Sequence, residues 1–307
     1  MLIVQKFGGS SLAGAERLRR AASIIADSAD AGNKVVAVVS ARGDMTDELL
    51  GQARRISADA PARELDALLS CGETGSAAMT AMQLADMGKS CVSLTGAQAG
   101  ILTDSVHGAA RILSIDTARI MRELDAGKIV VAAGFQGAER GGDTTTLGRG
   151  GSDTTAVELA AALKADRCEI YSDVDGIYTA DPRLVTGAVR LDSIDYGDML
   201  HLALHGSQVL HSRSVEAAMR ANVRVHLLSS FTRREGTVMC KLDDRSGLCG
   251  VTRDPSLGTV SIIGREADAH VLAEAVAALA HSDIIVTRTE LFDGGCSLLV
   301  WPDRLLP

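Results

Sequence analysis

Short β-branched runs alternate with alanine-rich helical stretches through most of the chain. Strand patterns fall at residues 2–6, 34–40, 90–95, 129–133, 169–172 and 224–228. Helical patterns fall between them, at 15–29, 46–59, 63–87, 115–126, 154–164 and 208–221. In the first of these helices Leu18, Ala22, Ile25 and Ala29 share one stripe at i, i+3, i+4 spacing. Such alternation builds βαβ units. These give an α/β fold with a mainly parallel sheet covered by helices on both faces. Ligands in such sheets bind outside the carboxyl ends of the strands.

The pattern changes near residues 233–247, where Arg233-Arg-Glu-Gly and Asp243-Asp-Arg-Ser-Gly flank a short apolar run at 237–242. Beyond it the chain reads as strand (259–263), helix (270–280), strand (284–291), a turn at Asp293-Gly-Gly, and strand (296–301). This βαββ order is a small α+β module. The 307 residues therefore divide into an α/β domain, 1–236, and a linker with the module, 237–307.

Composition excludes several classes of function. Hydrophobic residues make up 46% and charged residues 23%, enough apolar mass to offset the entropy of ordering. The net charge is −8, and Arg17–Arg20 and Arg233–Arg234 sit among acids as solvated faces. One Trp, three Tyr and four Phe leave no stacking surface for bases, so no nucleic-acid partner is expected. The apolar run 129–133 is far short of the roughly 20 residues a membrane helix needs. The six cysteines form no CxxC pair, which gives no support to a zinc site or any other metal site. They read as reduced, small hydrophobes in a cytoplasmic protein. The start, Met1-Leu-Ile-Val, reads as a strand entering a glycine turn and not as a signal peptide.

Three loops carry the candidate chemistry. In Lys6-Phe-Gly8-Gly9-Ser10-Ser11 a lysine ends a strand and glycines open a helix. Glycine lets backbone N–H groups approach an anion, and lysine supplies a point charge for phosphate oxygens. The bland alternative is a strand-to-helix turn with a snorkelling lysine. In Thr146-Leu-Gly-Arg149-Gly-Gly-Ser152-Asp153-Thr-Thr an arginine stands among three glycines, and Ser152 or Asp153 can cap the following helix. The third loop, Tyr171-Ser172-Asp173-Val-Asp-Gly-Ile-Tyr178-Thr-Ala-Asp-Pro-Arg183, is dense in turn formers and by itself reads as a surface loop. Neither GxxxxGK[ST] nor a GxGxxG after the first strand occurs.

In order along the chain, these loops and the segments 39–50 (VSARGDMTDELL), 71–73 (CGE), 135–137 (FQG) and 206–211 (GSQVLH) resemble the aspartate kinase family of the amino acid kinase superfamily. The likeness covers about residues 1–242, and Leu248–Thr252 resembles the start of that family's ACT region. It implies the amino acid kinase fold with an ACT-like module. It also implies transfer of the γ-phosphoryl group of ATP to the side-chain carboxylate of L-aspartate, with Mg2+ accompanying ATP. By position, Lys6 would contact the transferring group, with Gly8, Gly9 and Ser10 around the phosphates. Asp153 would orient Lys6 and, with Glu73, hold the substrate amine. Arg149 would pair with the α-carboxylate, and Ser40 and Thr46 would line the substrate pocket. Ser172, Asp173, Tyr178, Arg183 and Gln208 would border ATP.

The family pattern has lysine where this chain has Gln208, which loses a charge at the phosphates. The module is also shorter than the family's usual pair of ACT units, so reduced or absent feedback regulation is expected, and assembly as a homo-oligomer, a dimer through the module. The alternatives are a kinase of the same fold for another small acid in a specialised pathway, or a catalytically weak nucleotide-binding paralogue.

Overall fold

A computed structural model describes residues 1–300 except Arg233 and 244–246. Parts of the expected linker (Arg233, 244–246) and the end of the last expected strand (Trp301) lie outside the described residues. The chain forms two compact units. One comprises Met1–Asp175 and Val223–Glu235; the other comprises Gly176–Asn222 and the described residues from Gly236 onward.

The first unit is built on six parallel strands. Their order is Val225–Ser229, Arg167–Ser172, Leu2–Phe7, Lys34–Val39, Ile129–Ala133 and Cys91–Leu94. All six expected strands are present, to within two residues at either end. The reason they were legible is physical: Val35–Val39 and Ile129–Ala133 are buried throughout, so they read as continuous apolar runs. Val35, Ala37, Val39, Ile129, Val131 and Ala133 join one core with Leu18, Ala22 and Ile25 of helix Gly14–Asp30 and Leu84 of helix Ala62–Asp86. Helix Gly151–Ala162, burying Ala156, Val157, Leu159 and Ala160, packs on the first two strands of the chain and on Arg167–Ser172. The first strand lies inside the sheet, between Lys34–Val39 and Arg167–Ser172, where the connections reverse direction. Such a switch point opens a crevice at the strand ends.

A smaller four-stranded sheet rims this crevice. It consists of Ile112–Ile115, Ile101–Thr103, Gln136–Ala138 and Thr144–Thr146 in that order. No sequence pattern marks it, because strands of three or four residues are too short to display a period.

The second unit holds the parallel pair Ser193–Ile194 and Thr237–Met239, helices Tyr196–Leu204 and Ser212–Ala221, and an antiparallel sheet. That sheet runs Leu248–Asp254, Thr259–Gly264, Gly295–Val300, Val286–Phe292, with helix Ala269–His281. The βαββ expectation therefore holds with one strand added in front. Leu248–Asp254 was missed because Gly250, Thr252 and Arg253 break its apolar alternation. The expected helix 208–221 begins only at Ser212, since His211 caps it by accepting from the N–H of Arg213 at 3.3 Å.

Candidate active site

Lys6 occupies the fifth position of the strand Leu2–Phe7, in register with Val38 and Ile170. Its Nζ lies 2.7 Å from Asp153 Oδ1, and the two side chains are only 10% and 15% exposed. A pair this sheltered from water is weakly screened, so its charge acts at short range on whatever enters. Asp153 stands in the first turn of helix Gly151–Ala162, where a carboxylate also suits the helix dipole. The capping role expected of Ser152 or Asp153 is corrected. The N-cap is Gly150 in the left-handed region (φ 69°), with no side-chain cap, and both residues lie inside the helix.

The first glycine loop is closed against residues 40–43. Gly43 N–H donates to Gly9 C=O at 3.0 Å, and Ser40 N–H donates to Phe7 C=O at 3.1 Å. A Cβ on Gly9 would lie 2.7 Å from the Ala41 carbonyl oxygen, so no other residue fits. Gly8 donates its N–H to Tyr171 C=O at 3.3 Å, and the Tyr171 ring stacks on Phe7 at 4.8 Å. Ser10 follows in the same short helix, Gly9–Leu12.

Glu73 comes from the middle of helix Ala62–Asp86 and is 3% exposed. Its Oε1 accepts the Ala41 N–H at 3.1 Å, while Oε2 is buried with no hydrogen-bond partner. Burial pushes its carboxyl up to about 7. A buried oxygen left unsatisfied costs free energy until a donor arrives. Arg149 lies between Gly148 (φ 75°) and Gly150, exposed at the pocket wall. Among the described residues its guanidinium has no partner of its own. The site thus offers a buried acceptor for an ammonium group, a free fork for a carboxylate and a sheltered cation for a phosphoryl group.

Lys6, Gly9, Ser40, Thr46, Glu73, Arg149 and Asp153 line one pocket of about 650 Å³. Seven residues drawn from four distant stretches of sequence are thereby brought together. Gly8 and Ser10 flank Gly9. Ser172 and the exposed Asp173 end the strand Arg167–Ser172 outside that lining. Tyr178, Arg183 and Gln208 belong to the second unit. There Arg183 grips Asp181 through Nε (3.0 Å) and a second nitrogen (2.8 Å), and Gln208 is exposed.

Two of the lining residues to which the sequence reading gave no role stand out. Phe135 adopts φ 67°, which is strained for a bulky side chain. It is held there by Leu147 N–H donating to its carbonyl at 2.8 Å and by its own N–H on Thr155 Oγ1 at 3.1 Å. Asp66 is the other, buried on helix Ala62–Asp86. Phe135 stands in the sequence only as part of the family-like segment 135–137, and nothing local marks its backbone conformation or the burial of Asp66, because their partners lie 12 to 80 residues away.

Among the described residues no three His, Cys, Asp or Glu side chains converge as a metal site, and no helix is long and apolar enough to cross a membrane.

This sheet, with its phosphate-type loop and charged pocket, matches a known family model. The chain belongs to the amino acid kinase family, whose model covers residues 1–229. Its place within that family is with the aspartokinases. It is 47% identical over 290 residues to the aspartokinase of Mycolicibacterium smegmatis, covering 92% of this chain and 69% of that one. It is 48% identical over 289 residues to the aspartokinase of Corynebacterium glutamicum, again covering 92% and 69%. The structure of E. coli aspartokinase III in complex with aspartate and ADP superposes with a TM-score of 0.75, at 26% identity over 97% of this chain and 78% of that one. Aspartate kinase from Synechocystis gives 0.73 at 36% identity over 99% and 53%. The chain is therefore a kinase enzyme that uses a nucleotide co-substrate.

Proposed function

We infer that the pocket phosphorylates the side-chain carboxylate of L-aspartate from MgATP, giving 4-phospho-L-aspartate and ADP. The observation that carries this reading is the partnerless buried oxygen of Glu73, in the same pocket as the free guanidinium of Arg149 and the Lys6–Asp153 pair. An α-amino acid satisfies the first two groups and leaves its side chain for the third. A carboxylate acceptor is ionised at pH 7 and needs no general base. Catalysis then consists of aligning the acceptor and neutralising charge on the phosphoryl oxygens. Lys6 supplies that charge, and Asp153 keeps it aimed. Gly8, Gly9 and Ser10 admit the phosphates closely, and Ser40 and Thr46 bound the acid. Ser172, Asp173, Tyr178, Arg183 and Gln208 are assigned to the nucleotide. Mg2+ is assigned to the phosphates of ATP, which carry it in. The reading places the chemistry in residues 1–236 and leaves 237–307 as the accessory module.

Hydroxylamine trapping tests the reading. The native protein with MgATP and L-aspartate is expected to yield aspartyl hydroxamate. Gln208→Lys is expected to raise the rate by about 10²-fold at most, the usual worth of one charge contact to the transition state. Product from the variant alone would instead favour a nucleotide-binding role for the native chain. Product from neither would point to another acid.

A dimer through the module is the assembly proposed. Strand Val286–Phe292 is a sheet edge with Leu291 51% exposed, Ile285 beside it is 70% exposed, and helix Ala269–His281 buries no residue. Unpaired edges beside apolar surface favour strand pairing. Light scattering on a sizing column is expected to give twice the chain mass, and Leu291→Lys is expected to halve it. A native monomer at micromolar concentration would count against this.

A further inference from the structure

Helix Ala62–Asp86 carries Glu73, and its first turns carry a second set of contacts. Asp66, seven residues before Glu73, is 1% exposed. Its carboxylate accepts from Thr146 N–H at 3.0 Å and from the Thr146 hydroxyl. It also accepts from Gly108 N–H at 3.1 Å to each oxygen, and His107 Nδ1 lies 2.8 Å away. One turn earlier Arg63 donates through Nε to Asp143 at 2.8 Å, and through a second nitrogen to its other oxygen. That guanidinium holds the Asp143 carboxyl below the usual carboxylate range.

Asp143 and Thr146 bracket the strand Thr144–Thr146, which runs straight on through Leu147 and Gly148 to Arg149. The Arg149 side chain has no partner among the described residues, and glycines stand on both sides of it. Its location therefore depends on where that strand is anchored. Sheet pairing with Gln136–Ala138 and the Leu147–Phe135 hydrogen bond hold one side of the strand, and the Asp66 and Arg63 contacts tie it to the helix that bears Glu73.

We propose that Asp66, assisted by Arg63, is a positioning residue that fixes the span between Glu73 and Arg149 and so sets which α-amino acid configuration the pocket accepts. This rests on the aspartate reading given above. A chiral acid held at its ammonium, its α-carboxylate and its reacting carboxylate is discriminated only if the three receptors keep a fixed separation. Misplacement of a receptor by about 1 Å costs on the order of 10²-fold in productive alignment. The Lys6 end of the pocket, where ATP is assigned, is reached by none of these contacts.

Asp66→Asn turns an amide NH2 toward donors and leaves at least one buried N–H unpaired. The test compares native protein with Asp66→Asn and with Arg63→Gln. Arg63 is half exposed, so its variant folds even where the other does not. Asp66→Asn is expected to raise the KM for L-aspartate about tenfold and to leave the KM for ATP within about twofold. The ratio of the KM of L-aspartate to the Ki of D-aspartate is expected to move toward one. Arg63→Gln is expected to act in the same direction by about threefold. Hydrogen exchange of 144–150 is expected to quicken in both variants. Equal losses for aspartate and ATP, or an unchanged L-to-D ratio, would show a merely structural role and overturn the proposal. If the native protein makes no aspartyl phosphate, the aspartate reading fails, while unchanged exchange at 144–150 would separately overturn the anchor.

Discussion

Lys6→Ala is expected to lower the rate of aspartyl phosphate formation by at least 10²- to 10³-fold, measured by hydroxamate trapping at saturating MgATP. The lysine is the cation placed at the end of a central strand, and the charge that develops on the phosphoryl oxygens has few other groups to meet. The same change should weaken the fold. It leaves Asp153, 15% exposed, without the ammonium now 2.7 Å away. Breaking a buried pair from one side costs about 3–5 kcal/mol. The double variant Lys6→Ala, Asp153→Asn removes the stranded charge, so it should regain much of that stability in a denaturant titration. It should regain no activity. Recovery of both, or a Lys6→Ala rate within tenfold of native, would remove Lys6 from the chemistry.

The parts of this enzyme that were legible in its sequence are those whose physics is local. A strand buried on both faces must be apolar throughout, and Ile129–Ala133 shows this in five letters. A loop that passes within 3 Å of another backbone must be glycine, as at Gly9 beside Ala41. The illegible parts depend on distant partners. Asp66 looks like one more acid on a solvated helix, yet it is buried because Thr146 and Gly108 come to it from 80 and 42 residues away. Phe135 has no sequence sign of its left-handed backbone; the hydrogen bonds from Leu147 and to Thr155 impose it. His107 also finds its partner at long range, in the carboxylate of Asp66. The nucleotide residues of the third loop and Gln208 were reached only through likeness to a family, since turn formers alone do not distinguish a surface loop from a binding loop.

Glu73→Gln is expected to trade activity for stability, with a pH signature. Desolvation raises the Glu73 carboxyl from 4.5 to about 7. Between these values the folded protein holds a proton that the unfolded chain has released. Stability contributed by this group therefore falls as pH rises from about 4.5 to about 7. Above 7 the buried carboxylate costs about 3 kcal/mol relative to an unshifted one. A neutral glutamine keeps an acceptor for the Ala41 N–H and carries no charge to desolvate. The variant should be more stable than native at pH 8, by an amount of that order, and the difference should vanish below about pH 4.5. Catalysis runs the other way, because only the ionised carboxylate attracts an ammonium group. For the native enzyme, kcat/KM for aspartate should fall about tenfold per unit below pH 7. In Glu73→Gln it should be low and free of that limb, with the KM for ATP little changed. Saturating aspartate should lower the native apparent pKa, because the entering ammonium favours the ionised form. A native profile flat from pH 5 to 8, or a variant no more stable at pH 8, would mean that Glu73 is not the uncompensated charge the pocket keeps for its substrate.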